Sequence, residues 1–183
     1  MNTKEKIIQI ADIYIRQKGC NAFSFSDISK HMGIKNASVH YHFPSKSDLI
    51  IAIIQKHLKQ LEKFELKVKN HPPLNKIKMF LTVYSVAKSE GKISILGSLT
   101  NDYLTFELAI QNELKKLTDY TLSWLTQTLE EGKVKGVFNY TIDDRNKALM
   151  IITNILGAEQ LSRLTYNQDF QQIKETIIND LIQ

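Results

Sequence analysis

Apolar residues recur three and four positions apart along almost the whole chain, and this spacing most constrains the fold. Ile7, Ile10, Ala11, Tyr14 and Ile15 set the period, which is that of one buried helix face. Gly19 stops this first helix. Ser24 stands three residues before Asp27, a variant of the capping box that opens a helix. A second helix follows from about Phe25 to Met32, with Ile28 inward and Gly33 at its end. Ala37, Val39, Tyr41 and Phe43 mark a third helix of no more than about two turns. Pro44 closes it, because a proline biases the residue before it away from helical geometry. Ser45-Lys46-Ser47-Asp48 repeats the cap and opens a long fourth helix with Leu49, Ile50, Ile53, Ile54, His57, Leu58, Leu61, Phe64 and Val68 inward.

His71-Pro72-Pro73 is the sharpest break. Beyond it, a fifth helix is predicted from Leu74, a sixth over roughly 92–106, and a seventh through Trp124 to Leu129, with Gly132 and Gly136 bracketing its end. Residues 137–141 read as an extended link. An eighth helix, capped by Thr141 or Asp143, reads to about Tyr166, and a ninth starts at Asp169. No alternating runs flank a tight turn, so nothing suggests a hairpin. The fold class is all-α, with about nine helices.

Composition narrows the function. The 183 residues carry 24 Lys+Arg against 19 Asp+Glu, for a net charge of +5. That mild excess permits a nucleic-acid partner without demanding one. It is uneven: residues 1–48 hold +3 and the remaining 135 residues +2. Cys20 is the single cysteine, so no intrachain disulfide forms and a reducing cytoplasm is the default expectation. The N-terminus lacks the apolar core of a secretion signal. No run approaches the roughly 20 apolar residues of a membrane span. No P-loop spacing, His-Glu-x-x-His or Cys with a defined His partner supports an enzyme. His40 and His42 lie about 200° apart on a helix, so one metal ion could not use both. No metal or cofactor is expected.

The second and third helices, joined by Gly33-Ile34-Lys35-Asn36, make a helix, a tight turn and a short helix. That arrangement fits a DNA-binding helix-turn-helix, whose second helix enters the major groove. Lys35, Asn36, Ala37, Ser38, His40, Tyr41 and His42 supply its chemistry. Asn can pair with an adenine edge, Ala can touch a thymine methyl, and Ser, Tyr and Lys hold phosphates. Ser24, Ser26 and the fourth-helix cap, Ser45 and Lys46, add donors for phosphate at helix starts.

Gly19, Ser24-Phe25-Ser26-Asp27-Ile28-Ser29, Gly33-Ile34 and Tyr41-His42-Phe43-Pro44-Ser45-Lys46-Ser47-Asp48-Leu49 resemble the TetR family of bacterial transcriptional regulators. That family's hallmark runs Gly-(Ile/Val)-Ser-x-x-(Ser/Thr)-x-Tyr-x-(Tyr/His)-Phe-x-(Ser/Asn)-Lys-x-x-Leu. The chain departs from it at Lys35, where Ser is common, and at His40, where Tyr is common. Arg16 is the one arginine of this region, so phosphate contacts would lean on lysine. The resemblance implies a ligand-responsive repressor that acts as a homodimer on an operator of double-stranded DNA. Residues 1–48 would bind DNA. Residues 49–183 would bind an effector and dimerise, with helix four, from about 46 to 70, linking the two. The alternative is a helical small-molecule binding module whose helix-turn-helix is scaffold.

In such a regulator, helices four to seven enclose the effector. The candidates here are His57, Leu61, Phe64, Phe80, Tyr84, Leu99, Tyr103, Phe106, Thr121 and Trp124. Many rings and few charges favour a hydrophobic or aromatic small molecule. For the dimer interface the apolar stripes of helices eight and nine offer Leu149, Ile152, Ile155, Leu156, Gly157, Leu161, Ile173, Ile177 and Leu181, enough for a four-helix contact between two chains.

Overall fold

The computed structural model describes residues 2–182. Among these the chain forms nine α-helices and no strand: α1 (Thr3–Lys18), α2 (Phe25–Met32), α3 (Asn36–His42), α4 (Lys46–Val68), α5 (Pro73–Ser89), α6 (Ile95–Leu99), α7 (Leu108–Val134), α8 (Asp144–Leu161) and α9 (Asn167–Ile182). The all-α expectation holds. No helix of the described residues is long and apolar enough to cross a membrane.

Local chemistry sets the boundaries. Asn2 caps α1: its Oδ1 accepts from the Glu5 N–H at 2.9 Å, and the Glu5 carboxylate accepts from the Asn2 N–H at 3.0 Å. Pro73 opens α5 at the position where a missing N–H costs nothing. The predicted sixth helix is shorter than the periodicity suggested. It runs five residues as α6 and then tightens into a 3-10 turn over Thr100–Thr105. There the Thr100 hydroxyl donates to the Leu96 carbonyl and the Thr105 hydroxyl to that of Asp102, and such side-chain bonds compete with the helix ladder. Helix α8 stops at Leu161, short of Tyr166, where the Ser162 hydroxyl donates to the Glu159 carbonyl at 3.0 Å. Asp169 lies inside the first turn of α9 and accepts from the Tyr166 N–H at 3.2 Å.

The chain divides into two compact units. One comprises the chain up to Lys59 together with Ile95–Leu117; the other comprises Gln60–Ser94 and the chain from Thr118 onward. In the first unit α1, α2 and α3 pack through Ile7, Ala11, Ile15, Ile28, Val39 and Phe43, all buried, and α6 packs on α1. Each of these side chains except that of Ala11 contributes roughly 1.5–3 kcal/mol by leaving water.

The second unit is built on α5, α8, α9 and the matching parts of α4 and α7. Its core includes Val68, Ile77, Leu81, Leu125, Leu129, Ile151, Ile155, Phe170 and Leu181. Polar pins cross it: Lys76 meets Glu131 and Lys147 meets Asp180, each at 2.6 Å. Tyr120 donates to Glu65, and that bond, helped by burial, pushes the phenol up to about 12.

Helix α7 ends at Val134, between Gly132 and Gly136 as expected, with Gly132 in its last turn. The chain turns back over this glycine, whose carbonyl accepts from the N–H groups of Val137 and Phe138. A Cβ at position 132 would fall 1.9 Å from the Phe138 ring, which is itself buried. Gly132→Ala gains about 1 kcal/mol of helix propensity but forces the ring out, at about 1–3 kcal/mol or more. Net destabilisation is expected in chemical denaturation, and an unchanged or higher midpoint would contradict this packing.

Candidate functional site

The turn between α2 and α3 is set by Gly33, at φ 66° and ψ 32°, a left-handed conformation that side-chain-bearing residues adopt at a cost. Its N–H donates to the Lys30 carbonyl and that of Ile34 to Ser29, closing the end of α2. Ser24 caps the start. Its hydroxyl accepts from the Asp27 N–H, while its own hydroxyl and N–H donate to the Asp27 carboxylate at 2.7 and 2.8 Å. These bonds hold the Asp27 carboxyl below its usual range.

Helix α3 is held by one side and open on the other. Val39 is buried in the helical core, and Phe43, just past the helix, is buried beside it. Asn36, Ala37, His40 and Tyr41 are exposed, Tyr41 at 85%, with Ala37 and Tyr41 on the face opposite Val39. Ser38 and His42 are half-buried at its flank; Lys35 precedes the helix and is exposed. His40 sets its ring edge-on to Phe25, centroids 4.8 Å apart. Four exposed side chains able to touch base edges or phosphates thus stand along one short helix.

The second cap copies the first. Ser45 and Asp48 exchange bonds from the Ser45 N–H (3.0 Å), the Ser45 hydroxyl (2.7 Å) and the Asp48 N–H (3.1 Å). Lys46 does not stand free at the helix start. Its ammonium donates to the Phe23 carbonyl at 2.8 Å and lies 4.4 Å from the Phe23 ring centroid. One of its three N–H donors therefore braces the link between α1 and α2. Ser26 is exposed on the first turn of α2.

A buried, hydrogen-bonded carboxylate escaped sequence reasoning. Asp12, 7% exposed, points inward from α1, and its Oδ1 lies 2.5 Å from His57 Nε2 on α4, with Arg16 at 3.6 Å. Burial pushes the Asp12 carboxyl up, but the hydrogen bond and charge of His57, with Arg16 and Lys56, outweigh it and leave the carboxyl below its usual range. His57, an effector candidate by sequence, is therefore engaged with α1. Asp12 adjoins Ala11 on α1, a position that gives no sign of its partner on α4. Cys20 is also buried, and burial pushes its thiol up, opposite to what a reactive sensor needs. Among the described residues no cluster of His, Cys, Asp and Glu could hold a metal.

Phe64, Phe80, Tyr84 and Trp124 come together in the second unit. Trp124 lies 5.4 Å from Phe64 and 5.3 Å from Phe80, and Phe80 lies 5.3 Å from Tyr84. Burial, followed by the charge of Glu159, raises the Tyr84 hydroxyl above its ordinary range. Thr121 is buried and Leu61 half-buried in the same unit. Leu99, Tyr103 and Phe106, with His57, belong to the first unit, where Leu99 is fully buried and Tyr103 exposed.

The apolar stripes of α8 and α9 divide. Ile152, Ile155, Ile177 and Leu181 are covered by the chain's own core. A residue that is already covered has no surface left to give a partner. Leu149 and Leu156 stay half-buried, while Gly157, Leu161 and Ile173 are exposed. Between the two helices runs a groove walled by Met150, Asn154, Ile173 and Thr176. Met150, 47% exposed, was not among the residues expected there.

Comparison with known proteins bears on this geometry. The family model for bacterial regulatory proteins of the tetR family matches residues 7–53, a span that holds α2, α3 and both caps. An uncharacterized HTH-type transcriptional regulator in the lacX 3' region of Lactococcus lactis subsp. lactis is 32% identical over 168 residues, covering 90% of this chain and 85% of that protein. The biofilm operon icaADBC HTH-type negative transcriptional regulator IcaR of Staphylococcus aureus is 25% identical over 134 residues, 72% of each chain. Among solved structures, a TetR transcriptional regulator from Legionella pneumophila superposes with a TM-score of 0.89 at 31% identity, covering 99% of this chain and 98% of that one.

Proposed function

Since this chain belongs to the tetR family of bacterial regulatory proteins and is a DNA-binding transcriptional regulator, we propose that it is a cytoplasmic repressor, released from its operator by a small hydrophobic or aromatic ligand. It is a regulator and not an enzyme. The observation that carries the reading is α3, along which Asn36, Ala37, His40 and Tyr41 are all exposed. A relative, IcaR, is described as a negative regulator, which supports repression.

In this reading residues 1–48 engage DNA and residues 49–183 respond to ligand and dimerise. Asn36 and Ala37 meet base edges, with Ser38, His40, Tyr41 and His42 beside them. Lys35, Ser24, Ser26, Ser45 and Lys46 hold phosphates. The two N–H donors that Lys46 does not give to Phe23 remain for a phosphate at the start of α4, beside backbone N–H groups that no helix carbonyl can reach. Two copies of α3 enter successive major-groove faces about one helical turn apart. The dimer forms on the outer face of α8 and α9, through Leu149, Leu156, Gly157, Leu161 and Ile173, with Met150 added. The effector enters at the rings of Phe64, Phe80, Tyr84 and Trp124, and it acts only by binding one conformation better than the other.

Selection of bound sequences from a random DNA pool tests the reading directly, and a palindromic consensus is the expected outcome. No enrichment above the input pool would sink it. Two substitutions then separate the roles. Lys46→Ala is expected to weaken every sequence alike and lower the salt slope by about one ion per half-site. Asn36→Ala is expected to relax discrimination at one position per half-site, by about 1–3 kcal/mol.

A further inference from the structure

Where α5 and α8 end, Lys88, Lys92, Glu159, Ser162 and Arg163 wall a cleft of about 190 Å³. That is room for roughly six water molecules or one small metabolite. The charges around it do not cancel. Glu159, 1% exposed, accepts from the Ser94 N–H at 2.9 Å and the Ser94 hydroxyl at 2.6 Å. Lys92 is paired with Glu90 at 2.7 Å. Arg163 has no ion-pair partner among the described residues.

Lys88 is the unusual member. Its Nζ is sealed from solvent and has no hydrogen-bond partner among the described residues. It lies 4.9 Å from the centroid of the Phe170 ring, whose face offsets part of the cost of leaving water. The ring accepts no N–H in the manner of an oxygen, so three donors stay unmet. The carbonyls of Val86, Ala87 and Lys88, at the end of α5, accept from the N–H groups of Glu90, Lys92 and Gly91.

We propose that this cleft binds a small molecule bearing an oxyanion, a carboxylate or a phosphate, with Lys88 and Arg163 as its two charged anchors. The four-carbon stem of Lys88 lets its ammonium leave the ring for an oxygen in the cleft, and Arg163 presents a planar fork suited to two oxygens. Such a ligand ties the end of α5 to the end of α8. The site shares no residue with the aromatic cluster, so it stands or falls apart from the effector reading given above.

Thermal unfolding of the full chain, titrated with inorganic phosphate or with acetate against chloride at matched ionic strength, tests this. A saturable rise in Tm is expected with at least one of the two, and which one assigns the source of the oxyanion. In Lys88→Met, which keeps an apolar stem over Phe170, the apparent Kd should rise at least about tenfold, the loss of one charge-assisted bond. Arg163→Gln should do the same, and at an exposed position it leaves the fold intact. Lys116→Gln, an exposed lysine of α7, should leave Kd unchanged. No saturable rise with either anion, or an unaltered Kd in folded Arg163→Gln and Lys88→Met chains, overturns the proposal.

Discussion

A chain carrying Met150→Glu with Ile173→Glu is expected to sediment as a monomer and to lose operator affinity by about 10²–10⁴-fold, the advantage gained when two linked heads bind two half-sites. The two residues are 47% and 38% exposed and wall the same groove between α8 and α9. In a single chain their replacement by glutamate is solvated, so helicity and Tm at low concentration should hold. In a dimer the same charges are buried without partners, at about 3–5 kcal/mol each. Ile155→Glu makes a useful contrast. Ile155 is fully covered within the chain, so a charge there should unfold the second unit instead of separating two copies. A double variant that still sediments as a dimer and binds with wild-type affinity would remove α8 and α9 from the interface.

The second large effect concerns Asp12. Asp12→Ala strips His57 and Arg16 of their shared carboxylate and leaves a gap on the inner face of α1. Loss of one partner from a buried pair costs about 3–5 kcal/mol, and the lower end fits a pair whose side chains keep 10–16% exposure. The pH dependence has a fixed sign. The Asp12 carboxyl is lower in the folded chain than in the unfolded one, so its contribution is fully present above the ordinary carboxylate value of about 4 and is lost as pH falls through the depressed one. The stability gap between the wild type and Asp12→Ala, measured by urea denaturation, should therefore narrow below about pH 4. A gap that widens on acidification would show that the fold does not favour the ionised Asp12 carboxylate.

The parts of the site that were legible in the sequence are those whose geometry is local. Ser24 with Asp27, Gly33, and Ser45 with Asp48 act over three residues or fewer, and spacing alone places them at helix ends. The face of α3 followed from Val39 and Phe43, because two apolar positions four apart fix which way a short helix turns. Long-range pairings had no such signal. Asp12 and His57 lie 45 positions apart, and a polar residue adds nothing to an apolar period. Lys46 and Phe23 are 23 apart, and the cap motif said nothing about where the lysine would reach. On α8 the difficulty was excess, not absence. Leu149, Met150, Ile151, Ile152, Ile155 and Leu156 surround the helix with apolar side chains, so periodicity could not say which were core. The short α6 was misjudged because a hydroxyl that bonds back to a carbonyl looks, in a sequence, like any other threonine.

The ring of Phe138 resting on Gly132 has a consequence for descent. Neither position can be varied alone: a side chain at 132 needs the ring gone, and a smaller residue at 138 leaves a void until 132 grows to fill it. The two positions are in effect one locus read twice. Across relatives of this chain, a bulky residue at 138 should be inherited with glycine at 132, and chains that have lost that glycine should carry something smaller at 138, with the intermediate steps rare because they are the unstable ones.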